Sequence, residues 1–238
     1  MHWPEEQPLL QHRSTPLGLK IDPFQTVPPP APQLGSYAYE TFNCGKAGNK
    51  MIQGLIFDCD GTLADTMPLH WQAWQVVTKR YGVEFTEDRF YSLGGVPTRH
   101  ILQMLAEEQG LSIDALSVAK EKEDTYLVML PQVTPIESVV EVARSHRGKL
   151  PMAVASGGSR YAIDLVLRQI GIRDWFQTVV TNEDVVRQKP APDIFLEAAK
   201  RIGVQPQFCR AFEDTDLGMQ AIRDAGMEAV DIRTMLAR

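Results

Sequence analysis

From residue 136 onward the chain changes period every few residues, between short apolar runs suited to strands and runs whose apolar residues recur on one helical face. Helical spacing over 136–146 is followed by a strand at 151–155, a helix at 160–170 and a strand at 178–180. The cycle then repeats, with a helix at 192–202, a strand at 209–212, a helix at 217–225 and a strand at 228–232. Strands separated by helices of this length pair as parallel neighbours through crossovers, and the helices cover both faces of the sheet. The expected fold is therefore α/β, a Rossmann-like parallel sheet whose ligands collect at the carboxyl ends of the strands.

One more strand stands earlier, at 52–57. Between it and residue 136 the pattern is helical throughout. Pro68 opens a run with Leu69, Trp71, Trp74 and Val77; Pro97 opens another with Ile101, Leu102 and Leu105 that stops at Gly110; a third covers 112–130. The expected organisation is a core formed by 51–65 and 134–238, with 66–133 inserted as a small all-helical cap. Residues 1–50 hold half of the 16 prolines and carry no hydrophobic period, so that segment is expected to be disordered.

Composition narrows the function classes. A net charge of -6 leaves no basic face to displace counterions from a nucleic acid, so any phosphate bound is that of a small molecule. No apolar run is long enough for a transmembrane helix, and no signal-peptide order begins the chain, so a cytoplasmic protein is expected. Cys44, Cys59 and Cys209 are odd in number and lack metal-ligand spacing, which points to reduced thiols. The oligomeric state is left open, with a monomer favoured.

Four stations at strand ends carry chemistry. Asp58 and Asp60 lie two apart after the first strand, so their carboxylates leave on one side, and Gly61 allows a sharp turn. Two such carboxylates repel unless a cation neutralises them, and a hard magnesium ion suits carboxylate and water ligands. Ser156, Gly157, Gly158 and Ser159 join a strand to a helix start, where backbone N–H groups and a hydroxyl can hold a phosphate. Lys189 precedes the stiff Pro190-Ala191-Pro192 turn. Glu213 and Asp214 follow the strand at 209–212, before a helix that Thr215 or Asp216 could cap.

In order and spacing, Asp58-x-Asp60-Gly61-Thr62, Ser156, Lys189-Pro190 and Glu213-Asp214 resemble the four motifs of the haloacid dehalogenase superfamily, and the likeness spans 52–232. The helical insertion, the run from Phe212 to Gly218 and the ending from Ala225 to Asp231 resemble its β-phosphoglucomutase-like branch, whose phosphatases act on fructose 1-phosphate and 6-phosphogluconate. The resemblance implies a magnesium-dependent phosphatase of a small phosphorylated metabolite, with Asp58 as nucleophile and Asp60 as general acid and base. It implies metal contacts from Asp58, the carbonyl of Asp60 and Asp214, with Glu213 in or beside the site. Lys189, Ser156 and the Gly157 amide would meet the phosphoryl oxygens, and Thr62, His70, Arg99 and Lys122 would face the substrate.

Two other readings compete. A phosphomutase would pass the phosphoryl group to another hydroxyl of the sugar. Mutases of this branch place an arginine directly after a Gly-Val-Ser turn, whereas here Gly95-Val96 is followed by Pro97, Thr98 and then Arg99. One added residue turns a helix by about 100°. A non-catalytic binding protein of the same fold would not need all four stations, and a dehalogenase is disfavoured by Asp60, Gly61 and Thr62.

Overall fold

The computed structural model describes residues 51–236, so the expectations for residues 1–50 and for Cys44 lie outside the described residues. In chain order its elements are β1 (Gly54–Phe57), α1 (Met67–Tyr81), α2 (Glu87–Ser92), α3 (Thr98–Gln109), α4 (Ala115–Met129), α5 (Glu137–His146) and β2 (Met152–Ala155). They continue with α6 (Arg160–Gln169), β3 (Thr178–Val180), α7 (Asp193–Arg201), β4 (Cys209–Glu213), α8 (Asp216–Asp224), β5 (Glu228–Asp231) and α9 (Arg233–Leu236).

The five strands form one sheet in the order β3-β2-β1-β4-β5, every pair parallel. β1 and β2 read GLIF and MAVA, buried at every position, because helices pack on both faces and neither face tolerates polar alternation. Along β1 the side chains divide between the faces: Leu55 and Phe57 join a core with Val139 and Val140 of α5 and Ile163 and Val166 of α6. Ile56 points the other way, into a core with Phe195 of α7 and Ile222 of α8. This is the expected parallel α/β sheet.

The register fixes which strand ends are neighbours. Phe57 lies opposite Val154 on one side and Phe212 on the other, so the residues that follow β1, β2 and β4 emerge together. The Phe57 and Phe212 rings stack with centroids 4.6 Å apart, one residue before Asp58 and Glu213 respectively. The sheet order reverses at β1, where a crevice opens above the strand ends.

Between β1 and α5 the chain inserts α1 to α4, which close on an apolar cluster of their own that includes Trp74, Phe90, Leu102 and Val118. Gly110, expected to stop a helix, does so at φ 63°, with its N–H bonded back into α3. α2 was not expected. It has six residues, too few to show a helical period, and is capped by the Thr86 hydroxyl. The two linkers to the insertion run side by side: Asp65 N–H donates to the Thr134 carbonyl at 2.9 Å, and Ile136 N–H to the Leu63 carbonyl at 3.0 Å. Among the described residues no helix is long and apolar enough to cross a membrane, and Cys59 and Cys209 are buried free thiols.

Candidate active site

Asp58, the first residue beyond β1, is buried, and its Oδ1 accepts from Lys189 Nζ at 2.7 Å. The same ammonium donates to Glu213 Oε2 at 2.8 Å and lies 5.1 Å from the centre of the Phe195 ring. Burial works against the charge on Lys189, but Asp58 and Glu213 together hold it above its ordinary value. The other Glu213 oxygen, Oε1, accepts from the Thr215 N–H at 3.0 Å and from the Thr215 hydroxyl at 2.7 Å. Of the two cap candidates, Thr215 caps α8 by accepting from Gly218 N–H at 3.0 Å, and Asp216 instead pairs with Arg233 at 2.8 Å.

Asp58, Glu213 and Asp214 each bring an oxygen into one group spanning no more than 4.8 Å. Burial and then the Glu213 charge push the Asp58 carboxyl well above the usual carboxylate range, with Lys189 only partly opposing. Burial and Glu213 likewise push Asp214 up to about 7. Three carboxylates facing one ammonium make a charge deficit that a small cation would fill, and the all-oxygen donor set fits magnesium. The Asp60 carboxylate is outside this group. Glu213, expected in the site or beside it, contributes one of its oxygens. Two glycines make room. Gly61 has φ +81°, and a Cβ on it would stand 2.3 Å from Asp214 Oδ2; a Cβ on Gly218 would stand 2.1 Å from Glu213 Cδ.

Asp60 is held apart from this carboxylate group. Its Oδ1 accepts from the Thr66 hydroxyl at 2.8 Å, and His70 Nε2 approaches the same atom to 3.6 Å. Lys122 Nζ lies 2.8 Å from His70 Nδ1. An ammonium can only donate, so Nδ1 accepts and Nε2 carries the proton toward Asp60. Burial raises the Asp60 carboxyl, yet His70, Thr66 and Lys122 outweigh it and leave the group below its ordinary value. Burial, then Lys122, lowers the His70 imidazole, which matches the neutral tautomer. The Tyr126 ring stacks on His70 with centroids 3.8 Å apart.

A cavity of about 380 Å³ joins these groups to the insertion. Ser156, Gly157 and Gly158 form its phosphate-side wall, with Ser156 Oγ accepting from Gly158 N–H at 3.1 Å and nothing within 4 Å of the Gly157 Cα direction where a Cβ would lie. His70, Arg99, Lys122 and Glu123 line it from the insertion. The loop at Gly94 and Gly95 reaches the core here: a Cβ on Gly94 would lie 3.0 Å from Thr215 Cγ2.

The sequence-expected residues are thus brought together, with one reassignment. Thr62 was expected to face substrate, but it is fully buried and its hydroxyl donates to Asp214 Oδ1 at 2.8 Å, so it orients a carboxylate of the metal group. Thr66, Glu123 and Gly218 were missed. Thr66 stands one residue before the helix start and carried the signal of a cap; its hydroxyl serves Asp60 instead, and α1 has no side-chain cap.

The model of the family described as haloacid dehalogenase-like hydrolase matches residues 55–232. The chain is 42% identical to fructose-1-phosphate phosphatase YqaB of Escherichia coli over 183 residues, 76% of this chain and 97% of that protein. It is 32% identical to a phosphorylated carbohydrates phosphatase of Thermotoga maritima, over 75% of this chain and 84% of the relative. A crystal structure of β-phosphoglucomutase from Clostridium difficile superposes with a TM-score of 0.69 at 28% identity, covering 76% of this chain and 84% of that one.

Proposed function

This chain belongs to the haloacid dehalogenase-like hydrolase family and is a phosphatase of it, and on that premise we propose that it hydrolyses small sugar phosphates of the fructose 1-phosphate kind through a phosphorylated Asp58. The observation that carries the reading is the division of labour between two aspartates: Asp58 sits with Lys189 in the carboxylate group, while Asp60 is held separately by Thr66 and faces His70.

In the first step an Asp58 oxygen bonds to phosphorus as the bond from phosphorus to the sugar oxygen breaks, and a protonated Asp60 gives its proton to that leaving oxygen. Incoming phosphate charge favours that protonated form. In the second step Asp60 takes a proton from water, the water oxygen bonds to phosphorus, and Asp58 leaves with its bonding electrons, releasing inorganic phosphate. Lys189, Ser156 and the Gly157 amide carry charge from the equatorial phosphoryl oxygens. Asp58, Asp214 and Glu213, with the Asp60 carbonyl, would hold magnesium, which supplies positive charge between nucleophile and substrate. Residues 66–133 act as a cap whose paired linkers allow closure and exclusion of water. We place the protein in the cytoplasm, where its free thiols stay reduced.

A second reading, sugar phosphomutase, is favoured by one observation, that Arg99 lines the cavity and could meet a second phosphate. The test is magnesium-dependent phosphate release across a panel of sugar phosphates, with Asp58→Asn as the control that keeps shape and loses the nucleophile. Release that survives in Asp58→Asn refutes the mechanism. Glucose 6-phosphate accumulating from glucose 1-phosphate faster than free phosphate, with a trace of hexose bisphosphate present, assigns the mutase instead.

A further inference from the structure

Glu123 follows Lys122 on α4 and lines the cavity with its side chain 33% exposed. Its one ionic contact among the described residues is to Lys122, Oε2 to Nζ, at 3.9 Å. Both lysines that line the cavity are already engaged. Lys189 is bound by Asp58 and Glu213, and the Lys122 ammonium is buried and turned to His70 Nδ1. What α4 presents to the open part of the cavity is therefore a partly desolvated carboxylate, an acceptor with no donor of its own. A sugar hydroxyl can donate to it. A phosphate dianion cannot, and is repelled.

We propose, resting on the sugar-phosphate reading above, that Glu123 is a specificity-determining residue: it selects substrates whose end facing the insertion bears hydroxyls, and rejects those bearing a second phosphate there. Both residues line the same cavity, and the Glu123 charge offsets the pull of Arg99 on a second phosphate and biases the site toward hydrolysis of monophosphates. Two unit charges about 6 Å apart, at the effective dielectric of a partly exposed site, repel enough to change affinity by roughly tenfold to a hundredfold.

The test compares wild type, Glu123→Gln and Glu123→Asp, as full chains with magnesium, on fructose 1-phosphate and fructose 1,6-bisphosphate. It reads kcat and KM for each, and the Kd of each compound by calorimetry. In Glu123→Gln the ratio of kcat/KM for bisphosphate over monophosphate should rise about tenfold or more, the change falling in KM and Kd and not in kcat. Glu123→Asp, which keeps the charge, should hold the ratio near wild type. A ratio that moves less than about twofold in Glu123→Gln, or an equal fall of kcat on both compounds, overturns the proposal while leaving the phosphatase reading in place. A wild type that hydrolyses no sugar monophosphate overturns both.

Discussion

Gly218→Ala isolates how the Glu213 carboxylate is held. Gly218 lies in the first turn of α8 with ordinary helical backbone, so alanine brings no conformational penalty and by propensity alone stabilises the helix by about 1 kcal/mol. The added Cβ, however, would stand 2.1 Å from Glu213 Cδ, 2.3 Å from Oε2 and 2.5 Å from Cγ, where ordinary contact begins at 3.4 Å. The carboxylate must therefore move by about 1.3 Å, the difference between 3.4 and 2.1 Å. That shift breaks its bond to Lys189 at 2.8 Å and those to Thr215 at 3.0 and 2.7 Å. Hydrogen bonds to a charged group are worth about 1.5–3 kcal/mol each, so losing two of these three outweighs the helix gain and leaves a net loss of about 2–5 kcal/mol. For a domain of this size that lowers Tm by about 4–20 °C. Turnover should fall by about a hundredfold or more, because Lys189 loses an acceptor and the metal group loses an oxygen. Thermal melts and phosphate-release kinetics measure both. A variant that melts higher than wild type and keeps full turnover would show that Glu213 does not occupy the space above Gly218.

Lys122→Met keeps the length of the buried side chain and removes the donor to His70 Nδ1, so kcat should fall about tenfold to a hundredfold; unchanged kcat would separate the pair from proton transfer. In excess chelator, stability should fall as pH rises from about 4 to about 7, and pH-dependent melts would show it. The sign follows from Asp214: its folded carboxyl is pushed up to about 7, above its ordinary value of 3.8, so between those values the folded chain holds the extra proton. Magnesium binds the ionised group, so it should raise Tm more at pH 8 than at pH 6. An equal rise at both values would detach the metal from these carboxylates.

How much of this was legible in the sequence follows from what each residue depends on. Period changes placed Asp58, Ser156, Glu213 and Asp214 at strand ends, which parallel strands deliver to one crevice, while the roles proposed for them and for Lys189 came from the resemblance of the four motifs in order and spacing. Side-chain direction within a loop was not. Thr62 stands beside the nucleophile in sequence, yet the turn at Gly61 aims its hydroxyl at a residue 152 positions away. The α2 helix was illegible because six residues cannot display a period, and Gly218 because its importance lies in the empty space that Glu213 fills. Arg99 illustrates a limit of helical arithmetic. Counting about 100° per residue assumes a helix already begun, whereas α3 starts only at Thr98, so the residues before it rotate by their own dihedral angles and Arg99 still reaches the cavity wall.

Thr215 joins the helical insertion to the sheet core. Its hydroxyl caps the start of α8 and steadies Glu213, while its methyl group lies beside the Gly94 turn of the insertion. A bulky residue at position 94 would press on the same threonine that tethers the metal-side carboxylate, without touching sugar or phosphate. Shape at the turn where the insertion meets the core and charge at the bottom of the crevice are thereby tied through one side chain, so that a change in one strains the other.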